Sequence, residues 1–295
     1  MQTLETLRRR IDSTQSLHSV VRTMKVLSMT SIRQCEEAVD ALSDYYRTIR
    51  LGLHIALRHR PREVPGIRPA AISRVGALVF GSTWGMCGRF NEQLARAVAD
   101  HLNARGPNET ALMTFGEYIE GPLEMVGYVP DQQYAGPESA EGITRRVQDV
   151  LVQLEAWRNT QEMDRIVLFY NTLTSGTHYD VSTHQLLPLD HAWLEEIEQE
   201  EWPTRMVPTF RTEWDDLFTA LIRQYLFVSL YRAFAESLAS EHSSRLAAMQ
   251  RAEINVEERL DALQAQFHQQ RQTAITEEVL DIAAGFEALH AEGPP

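Results

Sequence analysis

Lysine is all but missing from this chain: Lys25 is the single one, and every other of the 28 basic residues is arginine. A phosphate-binding loop of the G-x-x-x-x-G-K-[ST] type needs a lysine beside its glycines, and Schiff-base chemistry needs one in a pocket; Lys25 has neither setting. Positive charge as a whole is short. The formal net charge is -13 and the pI is near 5.3, so the surface is not built to neutralise phosphates, and nucleic acid is not expected as a partner.

Cysteine is also scarce. Cys35 and Cys87 are the two present; far apart and in unrelated contexts, they indicate neither a disulfide framework nor a C-x-x-C metal or redox site, and a reducing compartment fits. The longest apolar stretch, Tyr225 to Ala235, carries Ser229 and Arg232 and is too short to span a bilayer. Residues Met1 to Glu5 show no basic segment leading into an apolar one, so no secretory signal is expected. Any membrane association is expected only through partners.

Proline is missing from both ends of the sequence. None occurs before Pro61 or between Thr209 and Gly293, which confines helix breakers to the middle. The predicted organisation follows: a helix over residues 1–60, an α/β domain over 61–208, a helix over 209–290 and a flexible tail over 291–295.

What is present at the ends is a seam of apolar residues at alternating steps of three and four. In the C-terminal stretch it runs Leu217, Leu221, Tyr225, Val228, Tyr231, Ala235, Leu238, His242, Leu246, Met249, Ala252, Val256, Leu260, Leu263, Phe267, and resumes after Arg271 with Ile275, Val279, Ile282, Phe286 and Leu289. This is a coiled-coil signature, and about 75 residues of it make a helix of about 110 Å. The N-terminal stretch repeats it with Leu4, Leu7, Ile11, Thr14, Leu17, Val21, Met24, Ile32, Cys35, Val39, Leu42, Tyr46, Ile49, Leu53 and Leu57. Neither helix is stable alone, so the two are expected to bury each other as an antiparallel coiled coil, the longer C-terminal one projecting.

In the middle, Val75–Phe80, Ala111–Phe115 and Ile166–Tyr170 read as strands, with helices at Asn91–Leu102 and Glu138–Trp157 between them. Strand and helix in alternation predict a parallel, Rossmann-like sheet. An extended segment near Val181–Leu189 is expected at an edge. The fold class is therefore α+β, a long coiled coil carrying a central α/β domain.

No constellation among these residues makes an active site. The turn Gly81-Ser82-Thr83-Trp84-Gly85 stands where a dinucleotide loop or nucleophile elbow would. It has Thr83 where an elbow needs serine and lacks the three-glycine spacing, so it reads as a structural turn. The ten histidines include no H-E-x-x-H or zinc spacing; His178 and His184 are expected to flank a hairpin, His54 and His59 a helix end, and His242 stands in the seam. The run Glu195 to Glu201 reads as a solvated linker face, and Arg8, Arg9 and Arg10 as ion-pairing residues near a helix start. No catalytic residue, cofactor or metal site is predicted.

Three segments resemble the γ subunit family of F-type rotary ATP synthases. They are Arg8-Arg9-Arg10-Ile11-Asp12-Ser13 leading to Thr23-Met24-Lys25-Val26; Gly85-Met86-Cys87-Gly88-Arg89-Phe90-Asn91; and Ser229 to His242 followed by Arg245-Leu246-Ala247-Ala248-Met249 and Arg271-Gln272-Thr273-Ala274-Ile275-Thr276-Glu277-Glu278. The resemblance runs from about residue 4 to 289. It implies a central rotor shaft that transmits torque between a membrane c ring and a catalytic ring of α and β subunits, with the ε subunit beside it and the complex on the cytoplasmic face of a bacterial inner membrane. It also implies contacts with β at Met24, Lys25, Arg245, Gln272 and Thr276. Thr83 and Arg89 depart from the family pattern, which has an acidic residue and a second glycine there. The paired cysteines of the light-regulated chloroplast form are absent, so thiol control is not implied. A coiled-coil tether without a role in ATP turnover is the alternative, and a nucleotide-binding enzyme using the Gly81 turn is a third.

Overall fold

A computed structural model describes residues 3–59, 74–104, 109–160, 163–175 and 178–291. Helix α1 spans Leu4–Arg58 and helix α6 spans Trp214–Ala291. Between them lie β1 (Arg74–Phe80), α2 (Phe90–Asn103), β2 (Glu109–Phe115), α3 (Glu120–Met125), β3 (Gln132–Tyr134), α4 (Ile143–Thr160), β4 (Arg165–Ser175), β5 (His178–Leu187) and α5 (His191–Gln199). From residue 292 on, the expected tail lies outside the described residues. No helix among the described residues is long and apolar enough to cross a membrane.

The chain divides into two compact units, Met1–Leu27 with Ala248–Pro295, and Ser28–Ala247. Each long helix contributes to both, so chain segments and compact units do not coincide.

Along α1 the inward positions follow one strict heptad. Leu4, Leu7, Ile11, Thr14, His18, Val21, Lys25, Ser28, Ile32, Cys35, Val39, Leu42, Tyr46, Ile49, Leu53 and Ala56 are all buried or half-buried. The expected seam differs at two points, because Leu17 is 51% exposed and its place is taken by His18, and because Lys25 joins Met24 at the next turn. Both polar residues have partners on α6 in the first unit: His18 Nε2 lies 3.2 Å from Glu257 Oε1, and Lys25 Nζ is bonded to Glu253. Rising numbers on one helix meet falling numbers on the other, as antiparallel pairing requires. Further along α6, Ile275, Val279 and Ile282 are 50%, 58% and 68% exposed. The seam continues there uncovered.

In the second unit the sheet order is β3-β2-β1-β4-β5. β1 pairs in parallel with β2 and β4, β2 in parallel with β3, and β5 runs antiparallel to β4 at the edge. Alternation along the strands splits the core in two. Val75, Ala77, Val79, Leu112, Val167 and Phe169 meet Leu94, Val98 and Leu102 of α2 and Leu123 of α3. Leu78, Phe80, Met113, Phe115, Ile166 and Leu168 meet Val147, Val150 and Trp157 of α4 and Leu230, Phe234 and Leu238 of α6. α6 is thus the outer layer of the α/β domain as well as a coiled-coil strand. This double duty explains why it is buried on nearly all sides from Val228 to Met249.

Three expectations need correction. β3 and α3 were not foreseen, being too short at three and six residues to carry a period. The acidic run is no bare linker: Asp190 caps α5 by accepting from the Ala192 amide at 2.9 Å, Leu194 and Ile197 are buried against α1, and Glu196 and Glu200 both hold Arg50. His178 and His184 both lie on β5 and do not flank the hairpin.

Candidate functional site

The second unit is fastened where α6 crosses the turn that follows β1. Ser237, Ser240, Glu241, Ser244 and Arg245 recur at three- and four-residue steps and so share one face of the helix. Ser237 Oγ donates to the carbonyl of Phe80 at 2.8 Å, Ser240 Oγ to that of Asn171 at 3.0 Å, and Ser244 Oγ to that of Cys87 at 2.5 Å. Three backbone acceptors from separate elements are satisfied by one helix.

Glu241 stands at the centre, 2% exposed. Its carboxylate accepts from the amides of Thr83 at 3.1 Å and Trp84 at 3.2 Å, and from Arg245 Nη2 at 2.5 Å. Arg245 completes the clasp by donating from Nη2 to the Trp84 carbonyl at 3.0 Å and from Nε to the Gly85 carbonyl at 3.2 Å. From the other side Asn91 on α2 grips Ser82, accepting from its amide at 2.9 Å and donating to its hydroxyl at 2.8 Å. Close approach disfavours any side chain at Gly81 and Gly136, where a Cβ would fall 2.4 Å from Ile119 Cβ and 2.3 Å from Thr83 Oγ1, respectively.

Burial pushes the Glu241 carboxyl above the ordinary carboxylate range, against the pull of Arg245 and the two amides. His242 next to it is pushed down to about 4, by burial first and by the Arg245 charge second. Burial likewise raises both thiols, Cys35 to about 12.

Chemically this arrangement holds the turn against α6. Backbone amides after the first strand of an α/β sheet are a usual seat for phosphate; here Glu241 of the same chain occupies them. The space left beside it, about 10 Å³, has room for one water. The turn is a fastening, in agreement with the structural reading of Gly81 to Gly85.

Of the five residues expected to contact β, four belong to the first unit and Arg245 to the second. Met24 and Lys25 are half-buried, Gln272 and Thr276 exposed, with Thr276 Oγ1 donating to the Gln272 carbonyl at 2.9 Å. Arg245 is 3% exposed and turned inward to Glu241. Arg9 pairs with Glu5 of its own helix at 2.6 Å. His18, Glu253 and Glu257 bring ligand-type atoms within 4.8 Å of one another, but Lys25 and His18 already occupy the two carboxylates. His54 is a packing residue whose Nδ1 donates to the Ile197 carbonyl at 2.7 Å.

Glu241 was missed in the sequence. The signal was there: a second polar stripe, Ser237 to Arg245, ran beside the apolar seam with a Glu and an Arg four apart.

Comparison with known proteins decides the family. The ATP synthase family model matches residues 3–289. The chain belongs to the ATP synthase gamma family. Curated relatives of this gamma-family chain include the ATP synthase gamma chain of Cupriavidus pinatubonensis, 27% identical and covering 96% of this chain and 98% of that one, and that of Nostoc punctiforme, 28% identical over 98% and 100%. Among solved structures, a chain of the Euglena gracilis mitochondrial ATP synthase (OSCP/F1/c-ring) superposes with a TM-score of 0.63 at 15% identity, covering 99% and 97%. A chain of its rotor gives 0.62 at 13%, covering 92% and 98%. The shared fold is two long terminal helices and a central mixed sheet domain.

Proposed function

We propose that this gamma-family chain is the central rotor shaft of an F-type ATP synthase, turning with a membrane c ring inside a catalytic ring of α and β subunits, with ε beside it. A shaft performs no chemistry. It works by presenting β with different contacts at different angles, so that contact energy shifts each β subunit between states of unequal nucleotide affinity. The attachment is peripheral, through the complex, on the cytoplasmic face of a bacterial inner membrane.

The observation that carries this reading is the clasp. Torque taken up by the α/β domain reaches α6 only if the domain cannot slip around the helix. Five polar side chains on one face of α6, hydrogen-bonded to the C-terminal end of β1, to β4, to Cys87 and to the Gly81 turn, resist that slip better than apolar contacts, which have no preferred direction. Met24, Lys25, Gln272 and Thr276 are the proposed contacts with β. Arg245 serves from inside, bracing the turn.

Co-expression with α and β subunits, followed by affinity purification on β, tests the assignment. The chain is expected in stoichiometric amount, and ATP hydrolysis by the assembled complex in inverted vesicles is expected to drive ion pumping. A chain that never copurifies with the α/β ring is not a shaft.

A further inference from the structure

Within the second unit, a solvent-connected cavity of about 310 Å³ lies where α1, α6 and the β4–β5 hairpin meet. This volume is at the lower end of small-molecule sites. Its walls combine apolar and hydrogen-bonding groups. Leu42 of α1 and Val228 of α6 are apolar, while Tyr46, Tyr170 and Tyr225 bring three aromatic rings with phenol groups. Tyr225 packs on Trp193 with ring centroids 4.6 Å apart, which stiffens that wall. Burial and the nearby Glu236 charge raise Tyr170 to about 12, so its phenol stays a neutral donor.

Charge in the cavity is balanced. Arg232 is held through Nε by Glu236 at 2.6 Å, which leaves its outer nitrogens to donate, and Asp40 supplies an acceptor. An anion would meet Asp40 and a cation would meet Arg232; a neutral ligand suits both.

We infer that this cavity is a binding site for a neutral, planar, two-ring aromatic molecule with a hydrogen-bond acceptor for Arg232 and a donor for Asp40. Flat rings match tyrosine walls because offset stacking and edge contacts add to burial. A bound molecule would bridge α1, α6 and the hairpin, and would stabilise the unit in proportion to its occupancy.

The test uses the purified full chain and 7-hydroxy-4-methylcoumarin at pH 6.5, where the probe is neutral, with the probe's own fluorescence as the readout. Saturable 1:1 binding with a Kd below about 1 mM is expected for a ligand of this size. Ser43 lines the cavity from the exposed side of α1; Ser43→Trp fills the space and should weaken binding at least ~10-fold with the circular dichroism unchanged. Arg232→Gln should weaken it roughly 3- to 10-fold. Should Ser43→Trp lose its fold, Arg232→Gln alone decides. Absence of saturable binding, or binding that neither variant weakens, overturns the site.

Discussion

Glu241 and Arg245 stand one turn apart on α6, Oε1 and Nη2 2.5 Å from each other, with side chains 2% and 4% exposed. An ion pair at i,i+4 on a helix surface is worth little, since water screens it and two long side chains must be ordered. This pair is different in kind. Each charge is withdrawn from water and each has further hydrogen bonds to the Thr83–Gly85 backbone, so neither member is dispensable alone.

Arg245→Ala leaves Glu241 buried with two amides and no counter-charge, and is expected to lower unfolding stability by roughly 3–5 kcal/mol. Glu241→Gln strands Arg245 and should cost about as much. The double variant Glu241→Gln with Arg245→Ala should lose clearly less than the sum of the two singles. Urea unfolding followed by circular dichroism measures all of them. If the double variant equals the sum, the two residues act independently and the clasp is misread.

Acid is expected to loosen the same region. His242 is pushed down from 6.5 to about 4, so the folded chain keeps it neutral while the unfolded chain protonates it between those values. Stability is then full above about pH 6.5 and falls as pH drops towards 4, by roughly 3 kcal/mol in all. Glu241, raised by burial, contributes the opposite sign, since its protonation removes a buried charge. His242→Leu should therefore flatten the acid limb of the melting temperature against pH. An unchanged limb would place the sensitivity elsewhere.

Two glycines should respond in opposite ways to alanine. At Gly52 of α1 the new methyl meets the far end of the Leu221 side chain, 2.7 Å from Cδ2, and that side chain has rotamers to retreat into. The helix gains up to about 1 kcal/mol of propensity, so Gly52→Ala should be neutral or stabilising. At Gly81 the methyl meets the branched Cβ of Ile119 at 2.4 Å, which cannot move without the backbone. Gly81→Ala should cost about 1–3 kcal/mol. Thermal melts of the two variants rank them.

Antiparallel pairing in the first unit predicts a specific crosslink. His18 and Glu257 meet at 3.2 Å, so His18→Cys with Glu257→Cys should be joined by a short bismaleimide. The native thiols give little background, because both are buried. His18→Cys with Arg271→Cys should not react, since 14 residues of helix add about 21 Å. Equal yields from both pairs would contradict the register.

Much of the fold was legible because it is periodic. The α6 seam from Leu217 to Phe267 is inward at every expected position, since a three-four repeat sustained over many heptads has only one helical face to occupy. Strands β1, β2 and β4 were legible for a different local reason, as short apolar runs set between helices. At residues 17–18 and 24–25 an apolar residue adjoins a polar one, and hydrophobicity alone favoured Leu17 and Met24. Position in the heptad and two carboxylates on α6, Glu257 and Glu253, seat His18 at the seam and Lys25 beside Met24 instead. The polar stripe of the clasp was locally visible; the groups it fastens were not. Glu241 and Arg245 were visible as residues, but their partners at Thr83, Trp84 and Gly85 are more than 150 positions away. Periodicity specifies which face of a helix is apolar; which buried charge is satisfied, and by whom, depends on the backbone groups that folding brings against that face.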